Sequence, residues 1–230
     1  MTHVGPGEKK TKVLFFDLDG TIADSGPGIH AAMNEALGEL GARPLDVSEL
    51  SAVIGPPLQV SGPPLLAGRG IDANELDNFI HRYRHHYISK HLPHTPLNDG
   101  MGELLMELSK DWHLAVVTAK PEPQAIVAIE ATGLAHLFVV VVGPEAGRPQ
   151  PKAELLIRAI GEMQDALGHS IDVNGSWMIG DRHHDIEAGV TVGTGTVGVL
   201  WGYGDHAELT AAGATVVVES PAALANALTN

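Results

Sequence analysis

The sequence predicts an α/β fold: a parallel sheet with helices on both faces, interrupted after its first strand by a small helical insertion. From residue 97 onward, short apolar runs alternate with segments of helical period. The first apolar run, Val13, Leu14, Phe15 and Phe16, leads into Asp17-Leu18-Asp19-Gly20-Thr21, which sets two carboxylates at the carboxyl end of a buried strand. The next strand, Leu114 to Thr118, follows roughly a hundred residues later, whereas a βαβ unit needs only about 30. The surplus predicts an inserted domain over residues 24–95, with the sheet built from 1–23 and 96–230.

Taken in order, the elements follow from their punctuation. Residues 1–12 are polar and read as a short disordered lead. Inside the insertion, Pro27 opens a helix, Gly41 closes it, and Gly-Pro-Pro at 55–57 and 62–64 mark breaks. From Glu75 to His91 a His-rich helix carries Leu76, Phe79, Ile80, Tyr83 and Tyr87 on one face. Met101, Leu104, Leu105 and Leu108 then define the apolar stripe of another helix. Further strands are expected at 138–142, 176–179, 196–199 and 215–218. Helices are expected near 122–132, 152–167, 183–190, 205–212 and 221–228, in right-handed crossovers.

Composition narrows the function. With 28 acidic against 14 basic residues the formal charge is −14, which argues against a nucleic-acid polymer or an anionic membrane as partner. The absence of cysteine excludes disulfides and thiolate chemistry. No apolar segment approaches the ~20 residues that span a bilayer. A cytoplasmic enzyme, monomeric or homodimeric, is the expectation.

Polar residues converge on one sheet edge. Asp17 and Asp19, two apart on an extended chain, are expected to point the same way and address one metal and one substrate. Gly20 permits a sharp turn and is expected to leave its N–H open to an anion. Thr118, with the Ala119 amide, can hold a phosphate oxygen, or can simply cap the following helix. Lys152 starts a helix whose dipole it opposes, so it is either solvated or neutralises a carboxylate and a phosphoryl oxygen together; Arg148 is a rival for that task. Asp181 ends a strand and Asp185 lies one helical turn on, so the two share a face. Alone each would cap a helix; beside Asp17 and Asp19 they suit a hard cation such as Mg²⁺. His183 and His184, and the group His81, His85, His86, His91 and His94, read as solvated side chains rather than ligands.

Assembled, these residues resemble the haloacid dehalogenase superfamily of phosphohydrolases over nearly the whole chain. The signatures are Phe16-Asp17-Leu18-Asp19-Gly20-Thr21 with Asp24-Ser25, then Thr118, Lys152, and Gly180-Asp181 to Asp185. Pro27-Gly28-Ile29, Ile54-Gly55-Pro56-Pro57-Leu58 and Trp201-Gly202-Tyr203-Gly204 are similar to its phosphoglycolate phosphatase-like branch, which includes 5′-nucleotidases. Many relatives carry Lys-Pro-x-Pro where this chain has Arg148-Pro149-Gln150-Pro151-Lys152. True dehalogenases lack an aspartate at the position of Asp19.

The resemblance implies a core with a mobile helical cap and a Mg²⁺-dependent phosphatase acting on a small phosphorylated metabolite. It makes Asp17 the nucleophile, forming an aspartyl-phosphate, and Asp19 the acid–base. Mg²⁺ would be held by Asp17, the Asp19 carbonyl and Asp181, with Asp185 supporting from behind. Thr118, Lys152 and the amides of Gly20 and Ala119 would hold the phosphoryl oxygens. The Ile54 to Leu58 loop, with Arg82 or Arg84, would supply specificity. A 5′-nucleotidase, a sugar-phosphate phosphatase and a phosphosugar mutase are the alternatives; a signalling receiver module is about half this length and lacks the insertion.

Overall fold

A computed structural model describes residues 10–145 and 148–229. The expected disordered lead falls, over residues 1–9, outside the described residues. Six strands, β1 (Val13–Phe16), β2 (His113–Val117), β3 (Phe138–Val142), β4 (Trp177–Gly180), β5 (Gly195–Val199) and β6 (Val216–Val218), form one sheet in the order β3-β2-β1-β4-β5-β6. Every neighbouring pair is parallel. The helices are α1 (Gly26–Glu39), α2 (Leu58–Ala67), α3 (Leu76–His86), α4 (Met101–Leu108), α5 (Glu122–Ala131), α6 (Lys152–Leu167), α7 (His183–Val192), α8 (His206–Ala211) and α9 (Pro221–Thr229).

Side-chain alternation along the strands builds two cores. Leu14 and Phe16 of β1, with Leu114 and Val116 of β2, pack on the face covered by α4, α5 and α9. Val13 and Phe15, with Ala115 and Val117, pack on the opposite face against Leu155, Leu156, Ala159 and Met163 of α6. Asp17 follows β1 and continues the alternation toward the α6 face, which brings it to the first residue of that helix. Chain order reverses direction beside β1, the place where such sheets open a crevice at their carboxyl edge.

The insertion contributes α1, α2 and α3. Ile29, Met33, Ala36 and Leu37 of α1 and Phe79, Ile80 and Tyr83 of α3 join the apolar cluster that continues into the α4 face of the sheet. The two crossings lie side by side: Ala23 bridges Leu97 in antiparallel fashion, and the Asp24 amide donates to the Pro96 carbonyl at 3.0 Å.

Three expectations for this segment need correction. Gly62-Pro63-Pro64 does not break the chain; it lies inside α2. Each proline forfeits one intrahelical bond, but Leu65 and Leu66 just beyond are buried in the core and hold the turn in place. The helix predicted to His91 changes winding at Tyr87, where a π-helical turn runs to His91. His81, His85 and His94 are exposed, as expected. His86 instead lies between two α1 carboxylates, 2.7 Å from Glu35 and 2.8 Å from Glu39.

Candidate active site

Lys152, at the first turn of α6, reaches back to the β1 terminus, where its Nζ lies 2.6 Å from Asp17 Oδ1 and 2.8 Å from Asp185 Oδ1. All three side chains are buried. Burial works against the Lys152 ammonium, but the two carboxylates keep it charged well above the ordinary lysine range. Arg148 is exposed and pairs with Glu145 at 3.1 Å. Of the two rivals, Lys152 is the one that touches Asp17.

Asp181 is fully buried at the end of β4, and each of its oxygens accepts a bond: Oδ1 from the Thr21 hydroxyl at 3.0 Å and Oδ2 from the Tyr203 amide at 2.8 Å. The turn that carries Asp17 is thereby pinned to β4. Its Thr21 carbonyl also accepts from Trp201 Nε1 at 2.9 Å, which gives Trp201-Gly202-Tyr203 a structural purpose. Asp17, Asp181 and Asp185 bring one oxygen each within 4.8 Å of one another. Burial pushes the Asp17 carboxyl up, Lys152 holds it back and the Asp185 and Asp19 carboxylates add to the rise, leaving it at about 7. Asp181 is raised well above the carboxylate range by burial, then by Asp17 and Asp185.

Three crowded carboxylates, two of them paired with a single ammonium, form an all-oxygen donor set suited to a hard divalent cation. The walls are cut to size: a Cβ on Gly20 (φ +86°) would stand 2.5 Å from Asp181 Oδ2, and one on Gly202 would collide with the same carboxylate.

Asp19 lines the same cavity as Asp17 but pairs with a different lysine. Its Oδ2 pairs with Lys120 Nζ at 3.0 Å, and its Oδ1 is buried with no partner among the described residues. The Gly20 amide, expected to be open, donates to the Ala23 carbonyl at 2.9 Å and closes the turn. The amides of Leu18, Asp19 and Ala119 donate to no group among the described residues. Thr118 is buried; its amide extends the sheet to Val142 at 2.9 Å, and its hydroxyl oxygen accepts from the Lys120 amide at 3.2 Å.

Lys120 was not singled out in the sequence. It stands just before the proline that opens α5, opposing that helix dipole as Lys152 opposes that of α6, and the same reasoning applied there would have found it. Arg182 was missed as well; it bonds to the insertion through the Ser51 carbonyl at 2.7 Å. A cavity of about 110 Å³ opens between the sheet edge and the insertion. Asp17, Asp19, Thr118, Ala119 and Lys120 form its floor, and Ile54, Pro57, Leu58, Tyr83 and Arg84 roof it. Arg82 pairs with Glu39 instead.

Residues 14–199 match the family model described as haloacid dehalogenase-like hydrolase. The chain belongs to this family. Among curated relatives, tyrosine-protein kinase PtkA of Mycobacterium tuberculosis is 33% identical over 202 residues, covering 86% of this chain; the chain spans only 65% of that relative's length. Pyrophosphatase PpaX of Bacillus velezensis is 29% identical, with 84% and 85% of the two chains covered. A phosphoglycolate phosphatase of Cereibacter sphaeroides is 34% identical over 144 residues, 61% of this chain and 66% of that one. Among solved structures, a haloacid dehalogenase-like hydrolase of Streptococcus pneumoniae superposes with a TM-score of 0.84 at 25% identity, covering 94% of this chain and 98% of its own.

Proposed function

We propose that this hydrolase is a Mg²⁺-dependent phosphatase that cleaves a small phosphomonoester through an aspartyl-phosphate on Asp17, in the manner of a phosphoglycolate phosphatase. The observation that carries the reading is the Asp17 carboxylate itself: buried at a strand end, anchored through Oδ1 by Lys152 and facing the cavity under the insertion. Asp17 attacks phosphorus and the ester oxygen leaves with a proton from Asp19; Asp19 then takes a proton from water as the water displaces the Asp17 carboxylate. Lys152, Thr118 and the amides of Leu18, Asp19 and Ala119 bind the phosphoryl oxygens, and Lys152 keeps Asp17 and Asp185 from repelling one another. Asp17, Asp181 and the Asp19 carbonyl would hold Mg²⁺, with Asp185 supporting from behind, and the ion when bound would neutralise charge between carboxylate and phosphate.

The insertion over 24–95 serves as a cap that pivots at the paired crossings Ala23 and Leu97 and excludes bulk water when shut. Release of inorganic phosphate from p-nitrophenyl phosphate and from 2-phosphoglycolate, with and without Mg²⁺, tests the reading. Asp17→Asn should lower the rate by about three orders of magnitude or more; retained activity would overturn it. The relative named a tyrosine-protein kinase favours a second acceptor, a tyrosine hydroxyl in place of water. Label from γ-labelled ATP appearing on a tyrosine peptide rather than as free phosphate would favour that reading.

A further inference from the structure

Lys120 is borne by the sheet, yet it is held from both sides of the cavity. Its side chain is 4% exposed and its ammonium has three neighbours: Asp19 Oδ2 at 3.0 Å, the Tyr87 hydroxyl oxygen at 3.0 Å, and the Tyr87 ring, whose centroid is 4.6 Å away. Asp19 belongs to the turn after β1. Tyr87 belongs to the insertion, where the change to π winding begins, a local rewinding that concentrates at functional positions. Tyr87 stacks on Tyr83 with ring centroids 5.6 Å apart, and Tyr83 lines the cavity roof.

We propose that Lys120 is a positioning residue that fixes the Asp19 carboxylate for proton transfer only while Tyr87 of the insertion is seated against it. The proposal rests on the acid–base reading of Asp19. An ammonium withdrawn from water is stable only where its donors find partners, and here one partner comes from each layer. With Oδ2 tied to Lys120, Asp19 is left with one free oxygen, Oδ1, buried beside the cavity and able to meet a leaving oxygen or an incoming water. Lifting the insertion removes the Tyr87 hydroxyl and ring from Lys120, frees the ammonium to swing toward solvent, and releases the carboxylate from its rotamer. Proton transfer is thereby coupled to closure by one side chain shared between the sheet edge and the insertion.

Leaving-group dependence tests this. Dinitrophenolate departs without a proton, whereas the phenolate of phenyl phosphate benefits from one. Rates of first-turnover product release from 2,4-dinitrophenyl phosphate and phenyl phosphate are compared for wild type, Asp19→Asn, Lys120→Met, Lys120→Arg and Tyr87→Phe. Lys120→Met should lose about 30-fold or more on phenyl phosphate and less than about 3-fold on the dinitrophenyl ester, within the span of general-acid contributions. Tyr87→Phe should show the same asymmetry more weakly, and Lys120→Arg should recover part of the loss. A role confined to folding lowers both esters alike, so equal losses, or none, overturn the proposal. If Asp19→Asn itself lowers both esters equally, the acid–base reading fails and the proposal falls with it. If Asp19→Asn is asymmetric while the Lys120 and Tyr87 variants are not, the proposal alone fails.

Discussion

Arg182 Nη1 donates to the Ile54 carbonyl at 2.5 Å, tying the residue after Asp181 to the loop that roofs the cavity. The same nitrogen donates to the Ser51 carbonyl, and Nε donates to Glu208 at 2.9 Å. Gly55, at φ +102°, lies so close that a Cβ there would stand 3.1 Å from the arginine side chain. Arg182→Met leaves two carbonyls without this donor and removes one of the three bonds to Glu208. Stability measured by urea unfolding should fall by about 2–4 kcal/mol, and KM for p-nitrophenyl phosphate should rise more than kcat falls. An unchanged KM would mean that the loop holds its position without the guanidinium.

Lys152 and Arg148 are separated by a direct comparison. Lys152→Met should reduce kcat/KM by about 10²–10³, the range for losing one charge-stabilising donor. Lys152→Arg should restore little, because a planar fork cannot occupy the space of a compact ammonium held 2.6 and 2.8 Å from two carboxylates. Arg148→Ala should change kcat/KM by less than about threefold. The opposite ranking would return the phosphoryl contact to Arg148.

Acid stability should carry a contribution from Glu208. Burial pushes its carboxyl up, but bonds from the His183 amide, the His183 imidazole and the Arg182 guanidinium outweigh burial and hold it at about 2, against an ordinary 4.5. Its folded value is depressed, so the stabilisation is complete above about pH 4.5 and is lost as pH falls from there toward 2. Solvent screening of this half-buried group leaves about 1–2 kcal/mol. Urea unfolding of wild type and Glu208→Gln at pH 6 and pH 3 checks it: the variant should lose less stability between the two than wild type does.

Metal binding should register in the fold. Filling a site that exists only in the folded chain adds about 2.7 kcal/mol at a hundredfold excess over Kd. Mg²⁺ should therefore raise the melting temperature, and Asp181→Asn should abolish the increment. An equal increment in wild type and Asp181→Asn would place the ion elsewhere.

Most of the architecture is legible because it is written locally. Val13–Phe16 and Phe138–Val142 are apolar runs with clear ends, and Met101 to Leu108 carries an unbroken helical stripe. Strand ends likewise announce Asp17, Asp181 and Thr118. What stays hidden is whatever needs a distant partner. Lys120 acquires its meaning from Tyr87, 33 residues away, and Arg182 from Ile54, 128 residues away. The Gly20 amide reads as open until the turn supplies the Ala23 carbonyl. Pro63 and Pro64 read as a break because local rules cannot weigh them against the tertiary burial of Leu65 and Leu66.

The chain departs from the sheet at Ala23 and rejoins it at Leu97, and those two residues are bridged partners. In polymer terms the insertion is a loop whose ends already touch, and doubling the length of such a loop costs only about 0.6 kcal/mol of closure entropy. Its length can therefore vary at small entropic cost while the strand that presents Asp17 stays in register. The roof over the cavity can thus change in size without redesign of the sheet edge that carries Asp17.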